Sequence, residues 1–325
     1  MPIGIRRLLD QPIIHQAMSA SLGNNINGPS LIRVPQWVEK PLGRYYLYFA
    51  HHEGRSIRLA YSDQLTGPWF VHEPGALHLE ASLFPHDPRQ IEPKAGNSED
   101  LFTFGVEDFN PHIASPDVHV DESSGQIYMY FHGMVEDGDQ KTRLAISENG
   151  LHFRPQPNLL DHYYFRVFQY AGWFYAVSWG GYLYRAAKPE GPFERGPALF
   201  EGEPLCRPGT VLRHLALTCE GNHLHLFFSR IGDTPESIQY SKTILQADWL
   251  QWQVGPPHHV LAPVDDWEGG CLPVTKSLAG ATYDAEHALR DPCIFRDHDR
   301  DGGQTYLLYS GAGEQAIGLV ELTGL

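Results

Sequence analysis

One pattern of apolar and polar positions returns five times along the chain. It is a glycine-containing turn, a run of alternating aromatic and aliphatic residues, then a small or polar residue. The copies are GRYYLYFAHH (43–52), GQIYMYFHG (125–133), GWFYAVSWG (172–180), GNHLHLFFSR (221–230) and GQTYLLYSG (303–311). Period-two alternation bounded by turns predicts half-buried β-strands. A further strand follows each copy: SIRLAYS, TRLAISE, YLYRAAK, SIQYSKT and AIGLVEL. An inner strand precedes each: GPSLIRV, SPDVHVD, YFRVFQY, VLRHLAL and DPCIFRD. The first four units continue into outer segments such as GPWFVHEP and GPFERGPALF. Every unit is then an antiparallel meander of about four strands, the blade of a propeller.

The expected fold is therefore all-β, a single five-bladed β-propeller spanning 1–325. The fifth copy stops after its third strand. The segment LLDQPIIH (8–15) resembles the outer segments RPQPNLL and ERGPALF, so an N-terminal strand is expected to close blade five. Spacing between copies is uneven, and two inserts account for it, about 77–112 and 256–289. Long ordered loops on a rigid scaffold commonly carry function.

Composition narrows the partners. The 32 Gly and 25 Pro suit many short strands joined by turns, and a formal net charge of −15 argues against a nucleic-acid-tracking surface or docking on anionic lipid. Cys206, Cys219, Cys271 and Cys293 lack any CxxC spacing and read as buried thiols, with a disulfide as the alternative. The N-terminus, MPIGIRRLLDQPIIHQAM, has no apolar signal-peptide core. That leaves a cytoplasmic protein or a trimmed periplasmic or secreted form as expectations.

In a propeller the start of each inner strand and the end of each second strand meet on one face. The segments brought to that mouth are Asn27 to Ser30, His112 to Asp117, His162 to Arg166, Arg207 to His214, and Arg290 with Asp291. The second-strand ends add His51, His52, His132, Trp179, Arg230 and Glu314. Where the bland residues would be Ser, Gly or Ala, this chain places His, Arg and Trp. Such a mouth suits a polyhydroxylated ring, an acidic one included: aromatics cover its C–H face and arginine binds a carboxylate.

The inner-strand starts SPDV (115–118) and RDPCIFRD (290–297), the repeated second strands and the phrase AYSDQLTGPW (60–69) resemble the five-bladed propeller glycoside hydrolases, the arabinanase, xylosidase, fructosidase and anhydrogalactosidase group. The resemblance covers essentially the whole chain. It implies two carboxylates across a sugar, an acid and a base, with a third tuning the acid. Asp117 matches the second-blade carboxylate. The first-blade stretch INGPS offers Asn27 and Gly28 instead of an Asp, and the fourth-blade stretch CRPGTVLRH offers no Glu.

Histidines then become the candidate acid–base groups: His51 and His132 as catalytic residues with Asp117, and His52, Arg166, Trp179, Arg230, Arg290, Asp291 and Glu314 on the substrate. Three classes fit. The first is a glycosidase acting on an oligosaccharide by His-based chemistry. The second is a uronate lyase or dehydratase, with His51 or His132 as base and Arg166 or Arg230 holding the acid group. The third is a non-catalytic glycan-binding propeller. No cofactor is required by these residues. A divalent metal has two candidate places, a structural calcium at DHDRDGG (297–303), which lacks the acidic twelfth position of an EF-hand, and a His-bound catalytic ion shared between blades.

Overall fold

The computed structural model describes residues 3–92, 110–200, 205–206, 208–298 and 303–325. Five antiparallel sheets form, each a meander from an inner to an outer strand. Blade 1 is Asn27–Arg33, Tyr45–Ala50, Ser56–Ser62 and Phe70–His78. Blade 2 is Ile113–Asp121, Gln126–Met134, Gln140–Ser147 and Arg154–Leu160. Blade 3 is the shortest: Arg166–Tyr170, Trp173–Val177, Tyr182–Ala186 and Glu194–Ala198. Blade 4 is Val211–Glu220, His223–Ile231, Ile238–Ile244 and His258–Leu261. Blade 5 is Arg290–Asp297, Gln304–Gly311 and Ala316–Thr323.

Blade 5 is closed from the N-terminus, in two pieces. Gly4–Arg7 pairs antiparallel with Val320 to Thr323, and Ile14–His15 pairs with Ala316 and Ile317. The expected closing segment 8–15 therefore holds the shorter piece, and most of the closure lies upstream of it. Arg7 extends the clasp by pairing with Glu268 and Asp265 of the second insert, at 2.5 and 3.0 Å.

The alternating runs are buried on both faces, not one. In Tyr45–Ala50 every residue is buried. Tyr46, Tyr48 and Ala50 join a core shared with Ile113, Met129 and Phe131 of blade 2, while Tyr45, Leu47 and Phe49 join one shared with Phe295, Tyr306 and Leu308 of blade 5. Each of the five apolar cores fills one interface between neighbouring blades. The period-two pattern thus sorts side chains between two interfaces, because each blade packs face to face with two others. Of the four thiols, Cys293 is buried, Cys206 and Cys219 are half-buried and Cys271 is exposed; all four are free.

Around the axis the inner strands are stitched to one another. Ser30 Oγ accepts the Val118 N–H at 2.8 Å, and Asp117 Oδ2 accepts the Val167 N–H at 2.7 Å. Arg166 Nε donates to the Leu215 carbonyl at 3.2 Å. The Leu31 N–H meets the Cys293 thiol. Each side chain occupies the same register position of its blade and bonds the next blade's backbone, which holds the ring without a continuous sheet.

Removing a stitch leaves a buried N–H unpaired. Asp117→Ala also strips His119 of its partner at 2.8 Å, and is expected to cost about 3 kcal/mol against about 1 for Ser30→Ala. Urea midpoints check this; equal, small losses would mean the axis does not hold the ring.

Candidate active site

Four of the five inner strands begin with an irregularity. Pairing with the second strand slips between Asn27 and Ser30, between Ala114 and Asp117, between Leu212 and Leu215 and between Arg290 and Cys293. At the slip the backbone turns left-handed: Gly28 has φ 60°, Ser115 51° and Asp291 48°, each followed by Pro. Tyr164, at φ 63°, does the same just before the third inner strand. A bulge re-aims a side chain. Here it lifts Ser115, Tyr164 and Asp291 out of the ladder and toward the mouth.

They line a cavity of about 110 Å³. Asn27, His52 and Glu53 come from blade 1, and His112, Ser115, His132 and Gln140 from blade 2. Tyr163, Tyr164 and Trp179 come from blade 3, Arg213 and His214 from blade 4, and Asp291 from blade 5. Ala279, Gly280 and Ala281 of the second insert form one wall. That wall is pinned from below. Arg213 donates to Ser277 Oγ at 3.2 Å and to the Leu278 carbonyl, and Arg290 donates to Thr282 Oγ1 at 2.5 Å. Behind both arginines lies Glu236, fully buried, 3.0 Å from Arg213 Nε and 2.7 Å from Arg290 Nε.

Asp291 is the chemical centre of the floor. Its Oδ1 lies 3.0 Å from His214 Nδ1 and 3.4 Å from the Tyr164 hydroxyl, and its Oδ2 3.4 Å from Ser310 Oγ. Burial, then the negative charge of Glu314, raise its pKa to about 7, against the pull of Arg166, His52 and Arg290. His214 is pushed well below the ordinary imidazole range by burial and Arg213, so this contact is not a charged bridge. Glu314 behaves in the opposite way. Burial opposes its charge, yet His52, Arg290 and Asn25 outweigh burial and hold it far below the usual carboxylate range. His52 Nδ1 is 3.5 Å from Glu314 Oε1, and the Glu314 charge raises the His52 pKa although burial works against it. Two neighbouring carboxyls are thus driven apart, one protonated near neutrality and one ionised.

The remaining sequence candidates are placed as follows. His132 lines the cavity, is kept neutral by burial and by His112, and its buried Nδ1 has no hydrogen-bond partner among the described residues. Trp179 also lines it. His51 does not: its Nδ1 accepts the Glu53 N–H at 3.2 Å in the turn beside the mouth. Asp117 and Arg166 face a second, larger cavity of about 960 Å³ on the opposite side of the ring. Arg166 plugs the axis, donating to the Ser115 carbonyl at 3.0 Å and lying over the Tyr164 ring. Arg230 turns to Asp233 at 2.9 Å and the Leu205 carbonyl at 2.9 Å. Arg290 and Glu314 stand behind the floor, both fully buried.

Arg207 and most of DHDRDGG (residues 299–302) lie outside the described residues. Among the described residues, no three His, Cys, Asp or Glu side chains converge in a group that would hold a metal ion. Tyr164, Arg213 and His214 fall inside the mouth segments read from the sequence, but Glu236 was not singled out. The signal for the floor is the dipeptide at the slip: Gly-Pro, Ser-Pro and Asp-Pro mark three of the five positions.

The fold is that of the family-43 glycoside hydrolases. The chain is similar to a GH43 β-xylosidase/α-arabinofuranosidase from a compost microbial metagenome, in complex with xylotriose, with a TM-score of 0.60 and 13% identity over 99% of this chain and 96% of that one. It is also similar to the GH43_1 enzyme from Xanthomonas citri complexed with xylose, with a TM-score of 0.56 and 13% identity over 96% and 88%. A thermostable family-43 glycoside hydrolase gives 0.57 and 12%, with 93% of each chain covered. No protein-family model matches the sequence. By sequence, the chain belongs to the family of "Uncharacterized protein R118" of Acanthamoeba polyphaga mimivirus, to which it is 32% identical over 313 residues, 90% of this chain and 82% of that protein.

The shift at Asp291 has a stability consequence with a definite sign. Unfolded, its carboxyl titrates near ~3.9; folded, near about 7. The folded state holds the extra proton between these values, so this stabilisation is full below about pH 4 and lost as pH rises through about 7. Asp291→Asn stays neutral, and asparagine tolerates a left-handed φ. It is expected to be more stable than the parent at pH 8 by on the order of 3 kcal/mol, the gap shrinking by pH 5. Equal urea midpoints at pH 8 would mean that folding does not raise the pKa of the floor carboxyl.

Proposed function

We propose that this protein is a glycoside hydrolase that cleaves a neutral oligosaccharide, with Asp291 as the proton donor. The observation that carries the reading is a buried carboxyl, raised to about 7, at the floor of a mouth cavity faced by stacked aromatic rings. The fold is shared with hydrolases solved with xylose and xylotriose, which agrees with a pentose or hexose ring in the cavity.

Asp291 passes its proton to the glycosidic oxygen as the C–O bond breaks. Water adds to the anomeric carbon and gives a proton to His132, whose neutral ring and partnerless Nδ1 suit a base. The proton returns to Asp291 through solvent. Glu314 keeps a negative charge beside Asp291 and so holds the acid ready, against the opposing pull of His52. Elimination across a uronate is less well supported. The two arginines assigned to its carboxylate, Arg166 and Arg230, are bonded to protein groups and do not line the cavity.

A panel of neutral and uronate-containing oligosaccharides, followed by mass spectrometry and absorbance, tests the proposal. Cleavage with addition of water is expected, falling as pH rises through about 7, and Asp291→Asn is expected to lower kcat by roughly 10²–10⁴-fold. Unsaturated products would replace hydrolysis by elimination. Binding without turnover would make the protein a lectin-like propeller.

A further inference from the structure

Two buried arginines stand directly before floor residues in the chain, Arg213 before His214 and Arg290 before Asp291. Their Nε atoms converge on Glu236, at 3.0 and 2.7 Å. Glu236 lies at the entry to the third strand of blade 4. There its carbonyl accepts the Leu289 N–H at 3.1 Å, which fixes it against the residue preceding Arg290. Its Oε1 also accepts the Ser229 hydroxyl and its Oε2 the Ser277 hydroxyl, each at 2.8 Å. Two fully buried oxygens thus meet four donors, the condition under which a carboxylate can be kept in the interior.

The cations of the floor differ in what else they can pair with. Arg290 also reaches Glu286 at 2.5 Å and Glu314 at 3.7 Å, and His52 has Glu314 at 3.5 Å. Arg166 faces Asp117. Among the described residues, Glu236 is the one carboxylate within ion-pair distance of Arg213. Asp291 is surrounded by charged and titratable groups from four blades: His52 of blade 1, Tyr164 and Arg166 of blade 3, Arg213 and His214 of blade 4, and Arg290 and Glu314 of blade 5. Its oxygens nevertheless contact His214, Tyr164 and Ser310, and among the described residues no arginine lies within ion-pair distance of it. Without Glu236, the buried Arg213 would have no matching charge. Glu314 is ionised already, so Asp291 is the floor carboxyl left to answer it.

We propose that Glu236 is a positioning residue for the floor: by engaging Arg213 and Arg290 it leaves Asp291 without a cation of its own, and so as the group that carries a transferable proton. The inference rests on Asp291 being the acid of the proposed reaction, and adds a residue that governs it without touching the cavity.

The first test needs no substrate. In the parent, Asp291→Asn is expected to raise the urea midpoint at pH 8. In the Glu236→Gln background the same change is expected to leave the midpoint unaltered or lower it, because the ionised Asp291 would then be the partner of Arg213. A midpoint still raised as in the parent would overturn the proposal, and so would a parent that shows no rise. If Glu236→Gln does not fold, the double variant Glu236→Gln/Arg213→Gln, which also removes the unmatched cation, is expected to fold and to keep the parent's rise. A double variant that fails to fold, or loses the rise, would make Glu236 a brace of the insert wall and overturn the charge assignment. On an oligosaccharide that is cleaved, the alkaline limb of kcat in Glu236→Gln is expected about one pH unit or more below that of the parent; an unmoved limb would count against the proposal. An oligosaccharide panel without a substrate would remove the glycosidase reading alone and leave the urea test to decide on Glu236.

Discussion

What the structure depends on is the way five separate sheets are held around an axis with no hydrogen-bonded ladder between them. Apolar cores between the blades supply bulk attraction, but such contacts are non-directional and do not fix one blade's height against the next. The axial stitches do. Ser30, Asp117, Arg166 and Cys293 each reach the neighbouring inner strand's backbone, so the register of one blade sets the register of the next. Since the mouth is made from the residues just before these positions, a slip of one residue would empty the site. The clasp at blade 5 closes the same chain of constraints through Gly4–Arg7 and the Arg7–Glu268 pair.

On that frame sits a buried charge network whose members do unequal things. Arg213, Glu236 and Arg290 hold the insert that walls the cavity, and each charge is met by an opposite one. Glu314 is compensated by His52 and Arg290. Asp291 is the member left over: burial and Glu314 outweigh the cations, and its proton is the result. Neutralising a carboxyl is the ordinary outcome when burial outweighs pairing. Here it falls at the base of an open cavity, where a proton has somewhere to go.

The blades were legible because each repeats the same turn and alternation, and strands such as Ser56–Ser62 and Ala316–Thr323 fall within a residue or so of the runs read from the sequence. Burial was less legible. Alternation in Tyr45–Ala50 looks the same whether one face or two is covered, and only the neighbouring blades decide. The mouth was legible as a set of segments but not as a depth. Asp117 and Ser115 are two residues apart, yet the bulge between them sends one to the axial stitch and the other to the cavity. Arginines were the least legible, because Arg166, Arg213 and Arg230 owe their directions to partners distant in sequence or hidden in turns.

The distribution of backbone strain gives an independent view of where the chemistry lies. A left-handed residue at the inner-strand slip costs little for glycine and more for any other residue. Blade 1 takes the inexpensive solution with Gly28, which does not line the cavity. A Cβ there would come within 3.4 Å of the Ser115 backbone. Blades 2, 3 and 5 accept the cost with Ser115, Tyr164 and Asp291, and all three line the cavity. Left-handed non-glycine residues also occur at Lys40, Leu83, Ala171 and Ala312 away from the cavity lining, so it is the strain at the inner-strand starts that coincides with the floor of the site. In the hydrolases that the sequence resembles, the first and fourth blades carry carboxylates that this chain lacks at Asn27, Gly28 and His214. Asp291, whose pKa is raised to about 7, stands on blade 5 at a position of the same fivefold register. The scaffold's repeat places Ser115, Tyr164 and Asp291 at equivalent positions of three blades, all facing the same cavity.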